Sequence, residues 1–469
     1  VITQPSATAT TADSTVTAAS DGAIMPRHDL DRQHSNATAT TAASRSDILF
    51  FAALALLPVD GTVVGFYQPF WTPISPWLFV AYCLCNWRYL RETFRHYAAF
   101  LMLPVALAAL SIPGWLAFGF HRMAVVMSLT GVLGAVATLA AVHIAVDCKG
   151  LPWRRMVRVV LAAYWFAFAV GVLQWVALRL QVDTVVDYFT QLMARDYLPA
   201  DSPWGGNRPQ FLFAEPSYIG MHLFGILLPL FWLARPRDAV LAKRLRDLIV
   251  VFAAGSMLMG AGTRIVLDTV VAMVVVIVAQ VRWRDASHRR HGLLALAGTA
   301  VFAVVGVFAN SRLSSILDHG AEGDGSFFAR ICQSLGPLCG LPEHPWTLIC
   351  GYGAGNIIEA THAGAGRAVG LLNAWGMNST GPANWYATKT ADTMFTMSGY
   401  TSFLTEFGLV GLCGLVALVL WHIARHHAWS KQTVCWLLLV AYLYVQFEGY
   451  AFAAIPLLVW GVTHDERLR

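Results

Sequence analysis

The chain has 469 residues, 57% of them hydrophobic and 13% charged, with a mean hydropathy of +0.56 and a formal net charge of +5. That composition excludes a soluble globule, which would expose large apolar patches, and makes the bilayer the solvent for most of the surface. The positive balance does not point to nucleic acid, because the lysines and arginines sit in short loops between apolar runs and form no basic patch interleaved with aromatics.

Residues 1–46 are rich in Ala, Thr and Ser, lack apolar periodicity and are expected to be disordered. They do not read as a signal peptide, since no charged start precedes an apolar core and a small-residue cleavage site. The rest, 47–469, reads as one integral-membrane domain. A helix crossing about 30 Å of hydrocarbon needs roughly 20 apolar residues. Such stretches are predicted near 48–66, 70–87, 97–119, 124–146, 159–179, 212–233, 247–262, 265–281, 292–309 and 399–421. A last stretch, 433–461, is too long for one ordinary span and is interrupted by Glu448-Gly449, so it reads as a bent pair. The expected fold is therefore an all-α polytopic membrane protein with about twelve transmembrane helices.

The loops between these stretches carry an alternating charge. Eighteen lysines and arginines fall in one set of short loops, from Arg88 to Lys431, and only nine in the other set, which covers far more residues. Cytoplasmic loops carry the excess, so the long loops 180–211 and 310–398 are expected to face the periplasm, the second between the ninth and tenth spans. A connector as long as 310–398 is rarely passive.

In the first long loop, Val185, Phe189, Leu192 and Met193 recur at helical spacing and predict a short surface helix over 184–197. Next comes Arg208-Pro209-Gln210, then Glu215-Pro216-Ser217 at the mouth of a span, where proline suits the first helical turn and a carboxylate meets the positive end of the dipole. Partial desolvation there is expected to raise the pKa of Glu215 and suit it to act as a base. A simple helix cap is the alternative, although it would not require Arg208 nearby. Arg264, in Gly260-Ala261-Gly262-Thr263-Arg264, faces either a polar cavity or an anion, or else snorkels to the headgroups. In the large loop, Phe327, Ile331, Ser334 and Leu335 predict a helical face with Arg330 at its side. Gly351, Gly353 and Gly355 form a glycine-dense turn that follows no strand and opens no βαβ unit, which argues against a nucleotide site. Cys332, Cys339 and Cys350 share this loop, where either Cys332 with Cys339 or Cys339 with Cys350 can be imagined as a disulfide, or all three as free thiols. The cysteine and histidine spacings have no metal-site pattern.

Taken in order, the chain presents Arg208 ahead of a proline-containing span opening, Thr263-Arg264 at a Gly-rich turn, Arg330 followed by the glycine turn, and a closing segment from Tyr400 through Leu404-x-Glu406-x-Gly408-Leu409-x-Gly411. Over about residues 48–462 this order resembles the O-antigen polymerase and O-antigen ligase superfamily, integral-membrane glycosyltransferases of the GT-C type. The resemblance implies glycan substrates carried on undecaprenyl diphosphate at the periplasmic face of a bacterial inner membrane, with no cofactor, nucleotide sugar or metal. It implies that Arg208, Arg264 and Arg330 bind the diphosphate, a task suited to the fixed donor fork of a guanidinium. Arg208, Arg330 and Glu215 then form the expected catalytic set, with His362, His344, Asp392 and Glu406 as further candidates for the acceptor site or the base. Trp204, Trp346, Trp375, Trp385 and Tyr386 are candidates for stacking on sugars or for anchoring at the interface.

Two departures favour a polymerase, closest to the exopolysaccharide polymerases. Ligases of the family carry a histidine where this chain has Met397, and usually an uncharged residue where it has Glu215. The alternatives are a glycan ligase and, less favoured, a lipid-linked sugar flippase, for which internal repeats would be expected and are not seen. A chain-length-regulating co-polymerase and a separate flippase are partners implied by the resemblance alone.

Overall fold

The computed structural model describes residues 44–66 and 71–464, so most of the segment expected to be disordered, 1–43, lies outside the described residues. Among the described residues the regular structure is helical, apart from one antiparallel bridge between Thr62 and Met193. The first helix, α1 (Asp47–Ala55), stops well short of the predicted 48–66. Pro58 disfavours continuation, and the following Asp60 and Gly61 are tied to another segment, both donating N–H groups to Leu212 O at 3.2 Å.

Next come α2 (Ser75–Cys85), α3 (Trp87–Phe118), α4 (Arg122–Cys148) and α5 (Trp153–Leu180). A short amphipathic helix, α6 (Asp183–Leu192), stands where the sequence places one, but ends before Arg195. After an irregular stretch, α7 (Pro216–Ala234) opens on its proline, and α8 (Ala239–Leu258), α9 (Arg264–Gln280) and α10 (Ala286–Ala309) follow. Among the described residues six helices, α3, α4, α5, α7, α10 and a later one, α16 (Gly399–Arg425), are long and apolar enough to cross a membrane. Of the apolar window of α7, 94% is buried inside the protein, against 11% for α10. α7 is thus the axis of the bundle and α10 lies on its rim, presenting Leu294, Val301 and Phe308 outward. Within α7 a π-turn at Leu223–Leu227 precedes Pro229, whose ring would otherwise clash with the carbonyl one turn back.

The segment 310–398 is mostly helical: α11 (Ser311–His319), α12 (Gly325–Gly340), α13 (Pro345–Cys350), α14 (Ile357–Ala374) and α15 (Thr380–Thr388). α12 and α14 pack backbone to backbone, because a Cβ on Gly340 would lie 1.9 Å from Ala360 O and one on Gly364 would lie 2.1 Å from Gly336 O. Cys332 and Cys339 sit seven residues apart on α12, about 10 Å along the axis and beyond disulfide reach. All three cysteines of this segment are free thiols.

The two glycine motifs meet here. α16 is broken at Gly408, whose φ of +64° leaves the carbonyls of Thr405 and Glu406 to accept the N–H groups of Tyr352 at 2.8 Å and Gly353 at 2.9 Å. A side chain on Gly408 would strike Ile349 O at 2.3 Å, and one on Gly355 would strike Val125 N at 2.5 Å. The glycine-dense turn therefore docks the large segment onto α4 and α16. Over the stretch read from the sequence as a bent pair of spans lie two shorter helices, α17 (Lys431–Leu443) and α18 (Ala454–His464), joined through Glu448.

Candidate functional site

The start of α7 is built by the preceding loop, which is folded back by two buried glutamines. Gln174, in the middle of α5, accepts the N–H groups of Gln210 at 3.0 Å and Phe211 at 2.8 Å, and donates to Phe211 O at 2.8 Å. Gln210 in turn accepts Tyr197 N–H at 2.7 Å and donates to Arg195 O at 2.8 Å. Phe211 is thereby held at a positive φ of +61°, a conformation a bulky residue adopts only under constraint. Asp60 fixes the next residues, its Oδ1 accepting Ala214 N–H at 3.0 Å while its Oδ2 binds Trp71 Nε1 at 2.7 Å and His222 Nε2 at 2.9 Å.

This scaffold lines a cavity of about 870 Å³, within the size range of ligand sites. Arg208, Arg264 and Arg330 all line it, together with Glu215. The structure adds Arg195 and Arg312, so five arginines surround the space against two lining carboxylates, Glu215 and Asp324. They come from separate parts of the chain, the loop before α7, the start of α9, α11 and α12.

Their engagements differ. Arg208 donates to Gly205 O at 2.7 Å and Trp204 O, with its guanidinium 5.2 Å from the centre of the Tyr197 ring, and among the described residues no carboxylate forms an ion pair with it. Burial, and then the neighbouring charge of Arg312, lower its pKa from the ordinary guanidinium value. Arg312 is paired with Asp324. Arg264 is more committed: it bonds Leu443 O at 3.0 Å and Gln446 O, and meets Asp268 Oδ2 at 3.3 Å, joining α9 to the end of α17. It lines the cavity while serving as a structural tie.

Glu215 lies just before the span, 8% exposed, and bridges two arginines. Its Oε1 accepts Arg330 Nη2 at 2.6 Å and Ser217 Oγ at 2.6 Å, while Oε2 is 3.5 Å from Arg195 Nη1. Burial alone would push its carboxyl up, as the sequence suggests, but Arg330 and then Arg195 outweigh it and hold the group below its ordinary value. The expected direction is thus reversed. Glu215 is a charged bridge, and no elevated pKa supports a role as base.

The remaining candidates do not share this cavity. His362, His344 and Asp392 are exposed on the large segment, with His344 packed on the Phe118 ring. Glu406 is 2% exposed and belongs to a separate pocket, its carboxylate accepting Ser128 Oγ at 2.8 Å, Tyr450 OH at 2.9 Å and Gly355 N–H at 2.7 Å. Of the aromatic candidates, Trp204 lines the cavity; Trp346 stacks on Phe118, and Tyr386 is buried with its OH on Cys332 O at 2.6 Å. Sequence reasoning missed Arg195 and Arg312. The signal for Arg195 was Gln174, a fully buried amide on an otherwise apolar helix that needs a partner from the loop. No protein-family model matches this chain, and no curated protein matches it.

Proposed function

We propose that this chain is an integral-membrane glycosyltransferase that polymerises oligosaccharide repeats carried on undecaprenyl diphosphate, at the periplasmic face of a bacterial inner membrane. On this reading the chain passes through the bilayer about twelve times, the shorter helices only together with the non-helical stretches beside them, and the arginine-rich cavity opens outward. The convergence of five arginines from distant segments on one 870 Å³ cavity carries the proposal. A diphosphate matches that surplus of positive charge, and guanidinium forks match its oxygens.

In the structure Glu215 holds Arg330 and Arg195 in place. The incoming diphosphate competes for the same two guanidiniums and draws on Arg208, which is bonded to backbone carbonyls and to no carboxylate among the described residues. When the bond from the anomeric carbon to the phosphate oxygen breaks, its electron pair stays on the diphosphate, where the arginines stabilise the developing charge. The acceptor hydroxyl attacks from the opposite face and inverts the carbon. Met397, in place of a histidine, supports a polymerase over a ligase.

The test is a reconstituted assay in lipid nanodiscs supplied only with an undecaprenyl-diphosphate-linked repeat. A ladder of polymer is expected from the wild type, and Arg208→Ala and Arg330→Ala should each lower its rate by about 10²–10³-fold, as for loss of one donor to a developing oxyanion. Unchanged rates in both variants refute the site; no ladder until a different acceptor is added supports a ligase instead.

A further inference from the structure

We infer that the small pocket between Glu406, Glu448 and Tyr450 is the subsite for the acceptor sugar, and that Glu448 takes the proton of its attacking hydroxyl. This rests on the polymerase reading and supplies the base that Glu215 does not. Glu448 lies in the connection between α17 and α18, and its Oε2 accepts the N–H groups of Thr396 and Met397, both at 3.2 Å. Met397 is held at a φ of +58°, so Glu448 fixes the turn through which the large segment enters α16. Its other oxygen, Oε1, is buried and has no hydrogen-bond partner among the described residues. A buried carboxylate oxygen left without a donor is costly, and a site that receives a hydroxyl relieves it.

The pocket has a volume of about 80 Å³ and is lined by Glu448, Glu406, Tyr450, Ser128, Ser402 and Trp71 among others. At about 10–15 Å³ per water-sized group, that is room for the hydroxyl-bearing edge of one sugar ring. Carboxylates, hydroxyls and an indole are suited to that edge. Phe395 lines both this pocket and the arginine cavity, so the two subsites adjoin across one side chain.

Of the two carboxylates in the pocket, Glu406 already accepts three donors, which leaves Oε1 of Glu448 as the acceptor for a proton. Burial pushes Glu448 up to about 7, against the N–H groups of Met397 and Thr396 and the charge of Arg195, with Glu215 opposing ionisation. The other titratable groups facing it are Glu406 and Tyr450 in the pocket and Tyr218 at the start of α7. A base that is half ionised near neutral pH suits general-base catalysis. As the hydroxyl oxygen bonds to the anomeric carbon, the carbon–phosphate-oxygen bond breaks, its electron pair leaves with the diphosphate, and the hydroxyl proton passes to Glu448 Oε1 and later to water.

The experiment compares wild type, Glu448→Gln and Ala391→Trp, the last placed on the pocket wall, in nanodiscs with the lipid-linked repeat, and measures binding of undecaprenyl diphosphate separately. Glu448→Gln keeps an oxygen for the two N–H groups; it is expected to lower kcat by about 10²–10⁴-fold, abolish the acid limb of the pH–rate profile and leave diphosphate binding unchanged. Ala391→Trp is expected to raise KM and spare diphosphate binding. Full activity in Glu448→Gln, or diphosphate binding lost in step with activity, overturns the assignment while leaving the polymerase reading intact. A wild type that makes no polymer from the lipid-linked repeat overturns that reading, and the subsite with it.

Discussion

A carboxyl group 8% exposed at the start of a buried helix would be expected to resist ionisation, and by its own surroundings Glu215 would. Arg330 at 2.6 Å and Arg195 at 3.5 Å reverse that outcome. Because its pKa is lowered on folding, the stability it contributes is present above the ordinary carboxylate value and is lost as pH falls through the lower folded value. The thermal unfolding midpoint of the wild type is therefore expected to drop in that acid range, and Glu215→Gln to show a lower midpoint at neutral pH with a flatter acid limb. The neutral-pH loss should be about 1–3 kcal/mol, the scale for weakening a buried charged hydrogen-bond partner. The same variant should bind undecaprenyl diphosphate more tightly, since no fixed anion then competes for Arg330. Parallel acid limbs in the two proteins would show that Glu215 titrates alike folded and unfolded. The position of Glu215 was legible in the sequence, because Pro216 marks the helix start; its charge state was not, because Arg330 lies 115 residues away.

At the scale of elements, the loop before α7 makes no regular structure of its own, yet it presents both Arg195 and Arg208 to the cavity. Gln174 makes this possible by serving two N–H groups that no helix or strand satisfies. Gln174→Leu, similar in size, would leave both buried donors without acceptors, at about 1–3 kcal/mol each. The expected result is a lower unfolding midpoint and faster proteolysis between α6 and α7, with α5 itself intact. Cleavage and midpoint both unchanged would mean the loop is held by other contacts. The same element explains what a periodicity reading overlooks: an apolar window tolerates one polar residue, so Gln174 left the predicted span at 159–179 undisturbed, and its partner could not be found from spacing. The glycine motifs were legible as turns but not as a joint. That Gly408 breaks α16 so that Thr405 and Glu406 can bind the turn at Tyr352 and Gly353 depends on two segments far apart in the chain.

Across the whole molecule, apolar length located the longer helices outside the large segment but not α11, α13, α14 and α15 within it, and the ends of helices depended on contacts between segments, as at Pro58 to Gly61, where α1 stops because the chain turns to meet Leu212. The helix directions separate two kinds of chemistry. α4 begins beside Gly355 of the large segment and ends at Lys149, which is paired with Asp47 at the start of α1. Arg154 and Asp238 pair at 2.8 Å, and His464 meets Asp147 at 2.7 Å, both pairs lying at the ends of helices on that same side by connectivity. The arginine cavity instead lies at the start of α7 and α9, the opposite ends. The dense loop charge belongs to the Lys149 side, so the proposed function, with the positive-inside rule, expects the cavity and the large segment outside. An epitope inserted after Gly376, an exposed turn of positive φ, should react with antibody on spheroplasts, whereas one after Arg284, in the exposed turn between α9 and α10, should react only after permeabilisation. The reverse pattern would turn the five arginines towards the cytoplasm, where loop charge and a periplasmic diphosphate could no longer be reconciled in one orientation.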